Sequence, residues 1–246
     1  MQRSDEIPAT SRLYLDNDHC LETDAVVVGV HENSIAFDRT CFYPGGGGQP
    51  HDTGTVVIQS GQTFAIVAVQ SDPADVIWHV TTSEPSQIVG HPAKLMVNQI
   101  RRRSLARYHT VLHVLNTIAL RDYDAWITGV QIAEDYSRID FKWDGFSAAL
   151  LAKLEEKVNA VLVANHALKS YNLAEEEFLK RGDLLRTLEA KPPVHDGHVR
   201  VVEIEGFDAQ ACGGTHVSTT SEAGRFSIFR TENKGKINKR LYIRLD

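Results

Sequence analysis

Two patterns of apolar residues follow one another along the chain. In the first part, short runs rich in β-branched and aromatic residues are separated by turn residues such as Ser60-Gly61 and Asp72-Pro73, which is typical of strands joined by tight turns. Short strands at such even spacing favour a small β-barrel or sandwich. The predicted strands are residues 25–30, 34–37, 55–58, 64–69 and 76–80.

In the second part, apolar residues recur at helical spacing. Two long stripes of Leu, Ile and Val predict amphipathic helices, and Asn172 and Glu175 have the spacing of a capping box, which predicts a third, shorter helix. The predicted helices are residues 97–120, residues 147–165 with Ser147 as the N-cap, and residues 172–186.

Strand patterns also occur among these helices, at residues 138–143, 199–204, 224–230 and 239–245. Strands and helices that do not alternate strictly indicate an α+β domain with helices on one face of a largely antiparallel sheet. We therefore expect an α+β protein with two domains. A β-barrel-like domain spans residues 1–92, an α+β domain spans residues 93–246, and Gly90-His91-Pro92 marks the boundary.

The composition is that of an ordinary globular protein, since 42% of the 246 residues are apolar and 24% are charged. No apolar run approaches the roughly 20 residues of a membrane span, and the first residues do not lead into a signal peptide, so we expect a cytoplasmic protein. The cysteines are Cys20, Cys41 and Cys212. An odd set of three does not form a disulfide framework, which leaves Cys212 available as a thiolate.

The net charge of −6 argues against a protein that is basic over its whole surface. RNA binding requires only a local basic surface, because individual Lys and Arg side chains make the phosphate contacts. Runs of charge are more often simply solvated, so this signal is weak alone. The candidates are Arg101, Arg102, Arg103, Arg107, Lys234, Lys236, Lys239, Arg240 and Arg244.

Two short motifs carry metal-binding side chains. His109-x-x-x-His113 places two imidazoles on one face of the first predicted helix, and Cys212-Gly-Gly-Thr-His216 places a thiol and an imidazole in a predicted turn. Imidazole and thiolate are the preferred ligands of Zn²⁺. A lone His pair on a helix usually has no such role, but the pentad is far more specific, so the sequence predicts one zinc site formed by His109, His113, Cys212 and His216.

At these residues the chain resembles the editing domain of alanyl-tRNA synthetase and its free-standing relatives, the AlaX trans-editing proteins. The segment from Phe42 to Gly54, with its glycine run and Asp52-Thr53-Gly54, resembles the family's glycine-rich motif. Arg138-Ile139-Asp140-Phe141 is similar to the family's Arg-Phe-Asp-Phe strand, and Lys239-Arg240-Leu241 stands where the family has a basic pair. The resemblance covers nearly the whole chain.

The resemblance implies hydrolysis of mischarged tRNA(Ala), chiefly the seryl form and also the glycyl form, at a zinc-containing site. Zinc would either activate water or hold the substrate. Four protein ligands would close its tetrahedron, whereas three ligands and a water are the catalytic pattern. We therefore expect His216 or one of the helical histidines to be weakly bound.

The same resemblance suggests roles for individual residues. Val130 stands where the family has a serine after Gly129, which leaves recognition of the serine hydroxyl to Thr128 or Thr215. Gln210 stands where the synthetase domain often has Glu, and it could orient a metal ligand. The predicted roles are catalytic for His109, His113 and Gln210, substrate-binding for Thr128, Gly129, Thr215, Gly46, Gly47 and Gln49, and tRNA-binding for Arg101, Arg102, Lys239 and Arg240.

Two other functions are compatible with these motifs. One is a zinc hydrolase that acts on a small ester or amide without RNA. The other is a non-catalytic tRNA-binding module in which zinc only stabilises the fold. Either a monomer or a homodimer fits the sequence.

Overall fold

The computed structural model describes residues 7–145, 147–186, 192–235 and 237–246. These residues form two compact units. The first unit takes its residues from Met1–Gly46 and Pro50–Arg103, and the second from Gly47–Gln49 and Ser104–Asp246. The basic candidate Lys236 lies outside the described residues.

The first unit is built around a closed antiparallel β-barrel, as the strand spacing predicts. Six strands form the barrel in the order β2-β3-β7-β6-β5-β8. A short parallel pair, β1 with β4, lies beside a four-residue helix, α1. The strands are β1 Ser11–Arg12, β2 Glu22–His31, β3 Ser34–Phe37, β4 Arg39–Thr40, β5 Gly54–Ile58, β6 Thr63–Ser71, β7 Ile77–Thr81 and β8 Pro92–Val97, and the helix is α1 Leu13–Asp16.

Alternation along these strands fills the barrel with apolar side chains. Strand β6 alternates exposed and buried residues, which places Phe64 and Ile66 in the core. A register shift between Ile66 and Ala68 then brings Val69 into the core as well. Strand β8 pairs with both β2 and β5 and thereby closes the barrel. The barrel thus includes residues 93–97, which the sequence places beyond the expected boundary.

The second unit contains two long helices and two antiparallel sheets. One sheet has the order β15-β16-β10-β9. The other has the order β11-β13-β12, and β14 also pairs with β13. The strands are β9 Trp126–Ile132, β10 Ser137–Lys142, β11 Leu168–Ala174, β12 Val194–His195, β13 His198–Ile204, β14 Asp208–Ala211, β15 Phe226–Asn233 and β16 Asn238–Leu245, and the helices are α2 Gln99–Tyr123, α3 Ala148–Val163 and α4 Glu175–Phe178.

The main core of the second unit lies between the long helices and the sheet that contains β10 and β16. Leu112 of α2 and Leu154 and Val158 of α3 pack there with Phe141 and Leu241 of the strands. The predicted helices over residues 97–120 and 147–165 are confirmed as α2 and α3, and Ser147 accepts a hydrogen bond from the Leu150 amide as the predicted N-cap.

The predicted third helix over residues 172–186 is wrong. Residues Leu168–Ala174 form β11, and only a four-residue helix, α4, and a 3-10 turn at Gly182–Leu184 follow. Strand β11 pairs along its whole length with β13, which places Asn172 opposite Arg200. Cross-strand pairing therefore overrides the local capping signal.

The predicted α+β class with a small barrel is confirmed. Among the described residues, none of the helices combines the length and apolar character needed to cross a membrane.

Candidate metal centre

Helix α2 supplies the first half of the site. His109 and His113 lie one turn apart on the same face, with ring centroids 5.0 Å apart, and both are buried. Leu105, Leu112 and Leu115 of α2 pack into the core. Core packing of α2 therefore fixes where the two imidazoles project.

The turn after β14 supplies the second half. Nη1 of Arg200 donates hydrogen bonds to the carbonyls of Cys212 (3.1 Å) and Gly214 (2.9 Å). A Cβ atom on Gly214 would lie only 2.2 Å from Cε1 of His109. A glycine is therefore required at position 214 for the turn to approach the helix this closely.

The structure brings the four predicted metal ligands together. One donor atom from each of His109, His113, Cys212 and His216 lies within 4.8 Å of the others, and all four side chains are buried. Sγ of Cys212 lies 3.4 Å from Nε2 of His109 and 3.4 Å from Nε2 of His216. A buried set of three imidazoles and one thiol could hold a metal ion, and its chemistry fits Zn²⁺.

Neighbouring polar groups fix which nitrogen of two rings faces the cluster. Nδ1 of His109 lies 2.8 Å from Oε1 of Gln49, and Nδ1 of His216 lies 3.0 Å from Oγ1 of Thr110. The amide oxygen of Gln49 can only accept, so Nδ1 of His109 carries the proton and Nε2 keeps its lone pair. This is the usual orientation of a metal-binding histidine.

Burial also favours the neutral, metal-binding form of the histidines. It lowers the pKa of His113 to about 3, with the charges of Arg186 and Arg200 contributing. It lowers the pKa of His109 and His216 well below the usual value, and neighbouring histidines and Arg200 act in the same direction. At neutral pH all three rings are therefore uncharged bases.

The glycine-rich segment contributes Gln49 to the second unit. Residues Gly45 to Gly48 all have positive φ, between +57° and +129°, which favours glycine. The Gly48 carbonyl accepts from the amide of Ile132 in β9 (2.8 Å). This contact holds the segment beside the edge of the sheet, where Gln49 is buried.

Gln49 and Thr215, two of the predicted substrate-binding residues, bind each other. Nε2 of Gln49 donates to Oγ1 of Thr215 (2.8 Å), and the amide of Thr215 donates to Oε1 of Gln49 (3.0 Å). Both side chains are buried. Gly46 and Gly47 are exposed, and the Gly46 carbonyl accepts from the hydroxyl of Tyr43 within the first unit.

The other predicted substrate-binding residues lie on β9. Thr128 is exposed at a register shift, between Gly129, which pairs with Asp140, and Ile127, which pairs with Phe141. Val130 packs into the core beside Gly48, since a Cβ on Gly48 would lie 2.9 Å from the Val130 side chain. Val130, which stands where the resembled family has a serine, is thus adjacent to the segment that carries Gln49.

Gln210 lies behind the cluster. Its Nε2 donates to the backbone carbonyl of His113 (3.2 Å), to Oγ1 of Thr117 (2.9 Å) and to Asp208 (2.8 Å), and its Oε1 accepts from Asn116 (3.2 Å). The side chain thus ties β14 to helix α2 rather than joining the ring of donor atoms.

The predicted tRNA-binding residues differ widely in accessibility. Arg102 is 3% exposed and donates to both oxygens of Asp52 within the first unit. Arg240 forms a bidentate ion pair with Asp140, at 2.6 Å for each bond, and Lys239 is 8% exposed. Arg101 is half-buried and donates to the His51 carbonyl.

Sequence reasoning did not identify Thr110 and Arg200 as parts of the site. Thr110 sits inside the His109-x-x-x-His113 motif, and Arg200 is a buried charged residue between Val199 and Val201 on β13. Arg200 interrupts the apolar residues Val199, Val201 and Val202 of a strand that is buried on both faces. A charge inside such an apolar run is the signal that could have identified it, because a buried charge needs a specific partner.

Comparisons with known protein families agree with both parts of the chain. Residues 199–242 match the family described as the threonyl and alanyl tRNA synthetase second additional domain. Residues 12–101 match the family described as class II (A) tRNA synthetases.

Individual relatives match almost the whole chain. The chain is 35% identical over 242 residues to the alanyl-tRNA editing protein AlaX-M of Methanosarcina acetivorans, which covers 96% of this chain and 99% of the relative. It is 33% identical over 233 residues to AlaX-M of Saccharolobus solfataricus, which covers 95% and 98%. It is also 34% identical over 235 residues to the alanine–tRNA ligase of Korarchaeum cryptofilum, with 93% of this chain and 26% of the ligase covered.

Proposed function

Because the chain belongs to the AlaX-M family of alanyl-tRNA editing proteins, we propose that it is an aminoacyl-tRNA deacylase that acts on mischarged tRNA(Ala). It hydrolyses the ester between the amino acid and the terminal ribose. Seryl-tRNA(Ala) is the chief substrate and glycyl-tRNA(Ala) a second one. We place this activity in the cytoplasm.

The observation that carries this proposal is the buried cluster of His109, His113, Cys212 and His216. Its neutral imidazoles and thiol suit Zn²⁺. When bound, zinc would supply a Lewis acid that lowers the pKa of water or polarises the ester carbonyl. Gln49 and Thr110 keep Nε2 of two rings directed at the cluster, and Arg200 holds the turn that carries Cys212.

We propose that His113 would be the least firmly held of the four residues that could bind a metal ion. Hydrogen bonds fix the rings of His109 and His216, but among the described residues none does so for the ring of His113. A ligand without such a partner is held less firmly. A bound zinc ion held by three firm side chains and one weaker one would fit the catalytic pattern.

Selection of serine over alanine requires a group that binds the side-chain hydroxyl. A site that pairs with a hydroxyl discriminates strongly against a substrate that lacks it, because its polar group is then left unpaired. Val130 cannot provide this group. We propose that Thr215, which lies within the cluster's own turn, or Thr128 on β9 provides it in this chain.

We propose that accessible Arg and Lys side chains make the phosphate contacts. Arg101 remains a candidate. Arg102 is buried against Asp52, so its replacement is expected to affect the barrel more than RNA affinity. Lys239 and Arg240 lie next to each other, and a phosphate would have to compete with Asp140 for Arg240.

The test is a deacylation assay with tRNA(Ala) charged separately with serine, glycine and alanine. The protein is used metal-loaded, chelator-stripped and as the variant Cys212→Ala. We expect hydrolysis of the seryl form with the alanyl form spared. We also expect both zinc content and activity to fall at least 100-fold in Cys212→Ala, because a thiolate ligand is removed.

The matched control is Cys20→Ala, which removes a half-buried free thiol of the first unit. It is expected to retain full metal content and activity. Activity in zinc-free Cys212→Ala protein would contradict a catalytic role for the metal. Loss of folding together with zinc, and no turnover by the loaded protein, would instead favour a structural zinc in a tRNA-binding module.

A further inference from the structure

In the second unit, one face of the sheet β15-β16-β10-β9 carries a cluster of aromatic rings. The ring centroids of Tyr136, Phe229 and Tyr242 lie 6.1 to 6.3 Å from one another. Tyr136 is 43% exposed and Phe229 is 45% exposed. We call this surface the aromatic face. Large aromatic side chains that cluster in solvent usually mark a binding surface.

The strand register explains why the rings meet on one face. Ile228 of β15 pairs with the buried Ile243, whereas Arg230, only two residues later, pairs with Tyr242 on the solvent face. The register that ends at Ile228 leads to Phe229 beside Tyr242, and the β-bulge between Ile228 and Arg230 places Arg230 opposite the same tyrosine. The bulge thus adds Arg230 to the face that Phe229 shares with Tyr242.

Two arginines lie against these rings. Cζ of Arg230 is 4.8 Å from the ring centroid of Tyr242, and Cζ of Arg244 is 4.7 Å from that of Phe229. Such cation–π contacts restrain the rings and place positive charge beside them. Interleaved aromatic and guanidinium groups are the combination on which nucleic-acid bases stack.

The strand positions of this face are also basic, although the chain as a whole has a net charge of −6. Asp140 pairs with Arg240, and Glu232 with Arg230. Glu134 and Asp135, in the turn before Tyr136, limit the basic area to the strands. Strand pairing and the alternation of side chains along each strand place seven charged residues on the same face as Tyr242. Five are basic and two are acidic: Arg138, Lys142, Arg230, Arg240 and Arg244, and Asp140 and Glu232.

We propose that the aromatic face stacks unpaired bases of tRNA while Arg138, Lys142 and Arg244 contact the adjacent phosphates. This inference rests on the proposed function, since it presumes a tRNA substrate. Helix α2, which carries His109, packs on the opposite, core side of the same sheet. The RNA segment on the aromatic face is therefore a different one from the esterified 3′ end, and the chain contacts its substrate at two separate places.

The test compares Phe229→Ala, Phe229→Leu and Phe229→Tyr with the wild-type chain. KM and kcat are measured for seryl-tRNA(Ala), and Kd for uncharged tRNA(Ala) at several salt concentrations. Removing a stacked ring is expected to raise KM and Kd by about 5- to 100-fold and to leave kcat within about twofold, because the cluster is untouched. Phe229→Tyr keeps the ring and should behave as wild type, whereas Phe229→Leu keeps only the bulk and should behave as Phe229→Ala.

Two further variants complete the design. Arg244→Ala should weaken binding and lower the slope of log Kd against log salt by about one unit, as loss of one phosphate contact requires. Tyr171→Ala removes an exposed aromatic ring from β11, on the other sheet, and should change nothing. A short unpaired oligoribonucleotide should compete with tRNA for the wild-type chain, whereas a duplex of equal length should compete poorly.

The outcomes separate this inference from the function on which it rests. If the wild type deacylates seryl-tRNA(Ala) and Phe229→Ala has an unchanged KM, the proposal that the aromatic face binds RNA is overturned, and the proposal that the protein is a deacylase is supported. If tRNA binding depends on Phe229 but no aminoacyl-tRNA is hydrolysed, the face is supported and the deacylase is overturned. If Phe229→Leu behaves as wild type, and Phe229→Ala converts a dimer to a monomer in sedimentation, the face binds a second copy and the RNA proposal is overturned.

Discussion

At the scale of single residues, Gln49 determines how His109 presents itself to the cluster. Its Oε1 accepts from Nδ1 of His109 and from the amide of Thr215, and its Nε2 donates to the Thr215 hydroxyl. One buried amide therefore joins the helical half of the site to the turn that follows β14. The sequence predicts that Gln49 binds substrate. From its contacts with His109 and Thr215 we infer that it also positions His109.

Replacement of Gln49 by alanine should weaken metal binding without removing a donor atom. We expect Gln49→Ala to lower zinc affinity by about 10- to 100-fold, which is typical of losing the hydrogen-bond partner of a metal-binding histidine. Competition with a chromophoric chelator measures this affinity. Gln70→Ala, at an exposed position of β6, serves as the control and should leave the zinc affinity unchanged. Unchanged affinity in Gln49→Ala would contradict the positioning role.

Spacing alone was enough to select the four candidate donors, because His-x-x-x-His on a helix and Cys-Gly-Gly-Thr-His in a turn both constrain local geometry. The partners of those donors were not predictable in this way. Thr110 contacts His216, which lies 106 residues later in the sequence, and Arg200 contacts Gly214, which lies 14 residues later. Contacts of that kind depend on the tertiary fold, which the sequence pattern does not reveal.

At the scale of secondary-structure elements, local signals succeeded where packing agreed with them. Ser147 caps α3, and the stripe of Leu154, Val158 and Leu162 is fully buried as its helical spacing predicts. For residues 172–186 the capping-box signal failed because pairing of β11 with β13 satisfies the backbone in a different way. Signals within one element were reliable only when no neighbouring strand competed for the same residues.

The N-cap of α3 can be tested directly. Ser147→Ala removes the acceptor for the Leu150 amide, 3.2 Å away, and should lower the free energy of unfolding by about 1 kcal/mol. Ser147→Asp restores an acceptor and should recover most of this loss. Urea denaturation of the three proteins measures the difference, and equal stability of Ser147→Ala and wild type would show that the cap contributes little.

At the scale of the whole molecule, buried neutral histidines make the chain sensitive to acid. His79 lies in the barrel, where burial lowers its pKa to about 4. Nδ1 lies 3.2 Å from the Ile35 carbonyl and so carries the proton, and Nε2 can accept from Thr40 at 2.8 Å. The edges and faces of Phe37 and Phe42 surround the ring. Protonation would leave a charge among these apolar neighbours.

The sign of the pH effect follows from this lowered pKa. The unfolded histidine binds a proton below about pH 6.5 while the folded one stays neutral down to about pH 4. His79 therefore contributes full stability above pH 6.5, and this contribution falls by about 1.4 kcal/mol per pH unit on acidification. Urea denaturation of metal-free protein at pH 7 and pH 5 should show the loss.

His79→Gln removes the titrating group and should reduce the difference in unfolding free energy between pH 7 and pH 5 by about 2 kcal/mol. The control is His31→Gln on the exposed end of β2, which should leave the pH dependence as in the wild type. An identical pH dependence in His79→Gln and wild type would mean that folding does not shift the pKa of His79 and would contradict this prediction.

The barrel itself was predictable from the number and spacing of its strands, but its closure was not. Residues 92–97 complete the ring between β2 and β5, although the expected boundary assigned most of them to the second domain. Local alternation marks a strand, whereas the partner of that strand is set by the whole fold.

The path of Gly47–Gln49 limits which pairs of related chains can recombine successfully. These three residues are flanked in sequence by barrel residues, yet they group with the second unit, where Gln49 binds Thr215. A crossover anywhere between residues 50 and 214 would join the Gln49 of one parent to the Thr215 of another. Recombination at an apparently clean domain boundary would therefore produce a working hybrid only when both parents carry a compatible pair at these two positions.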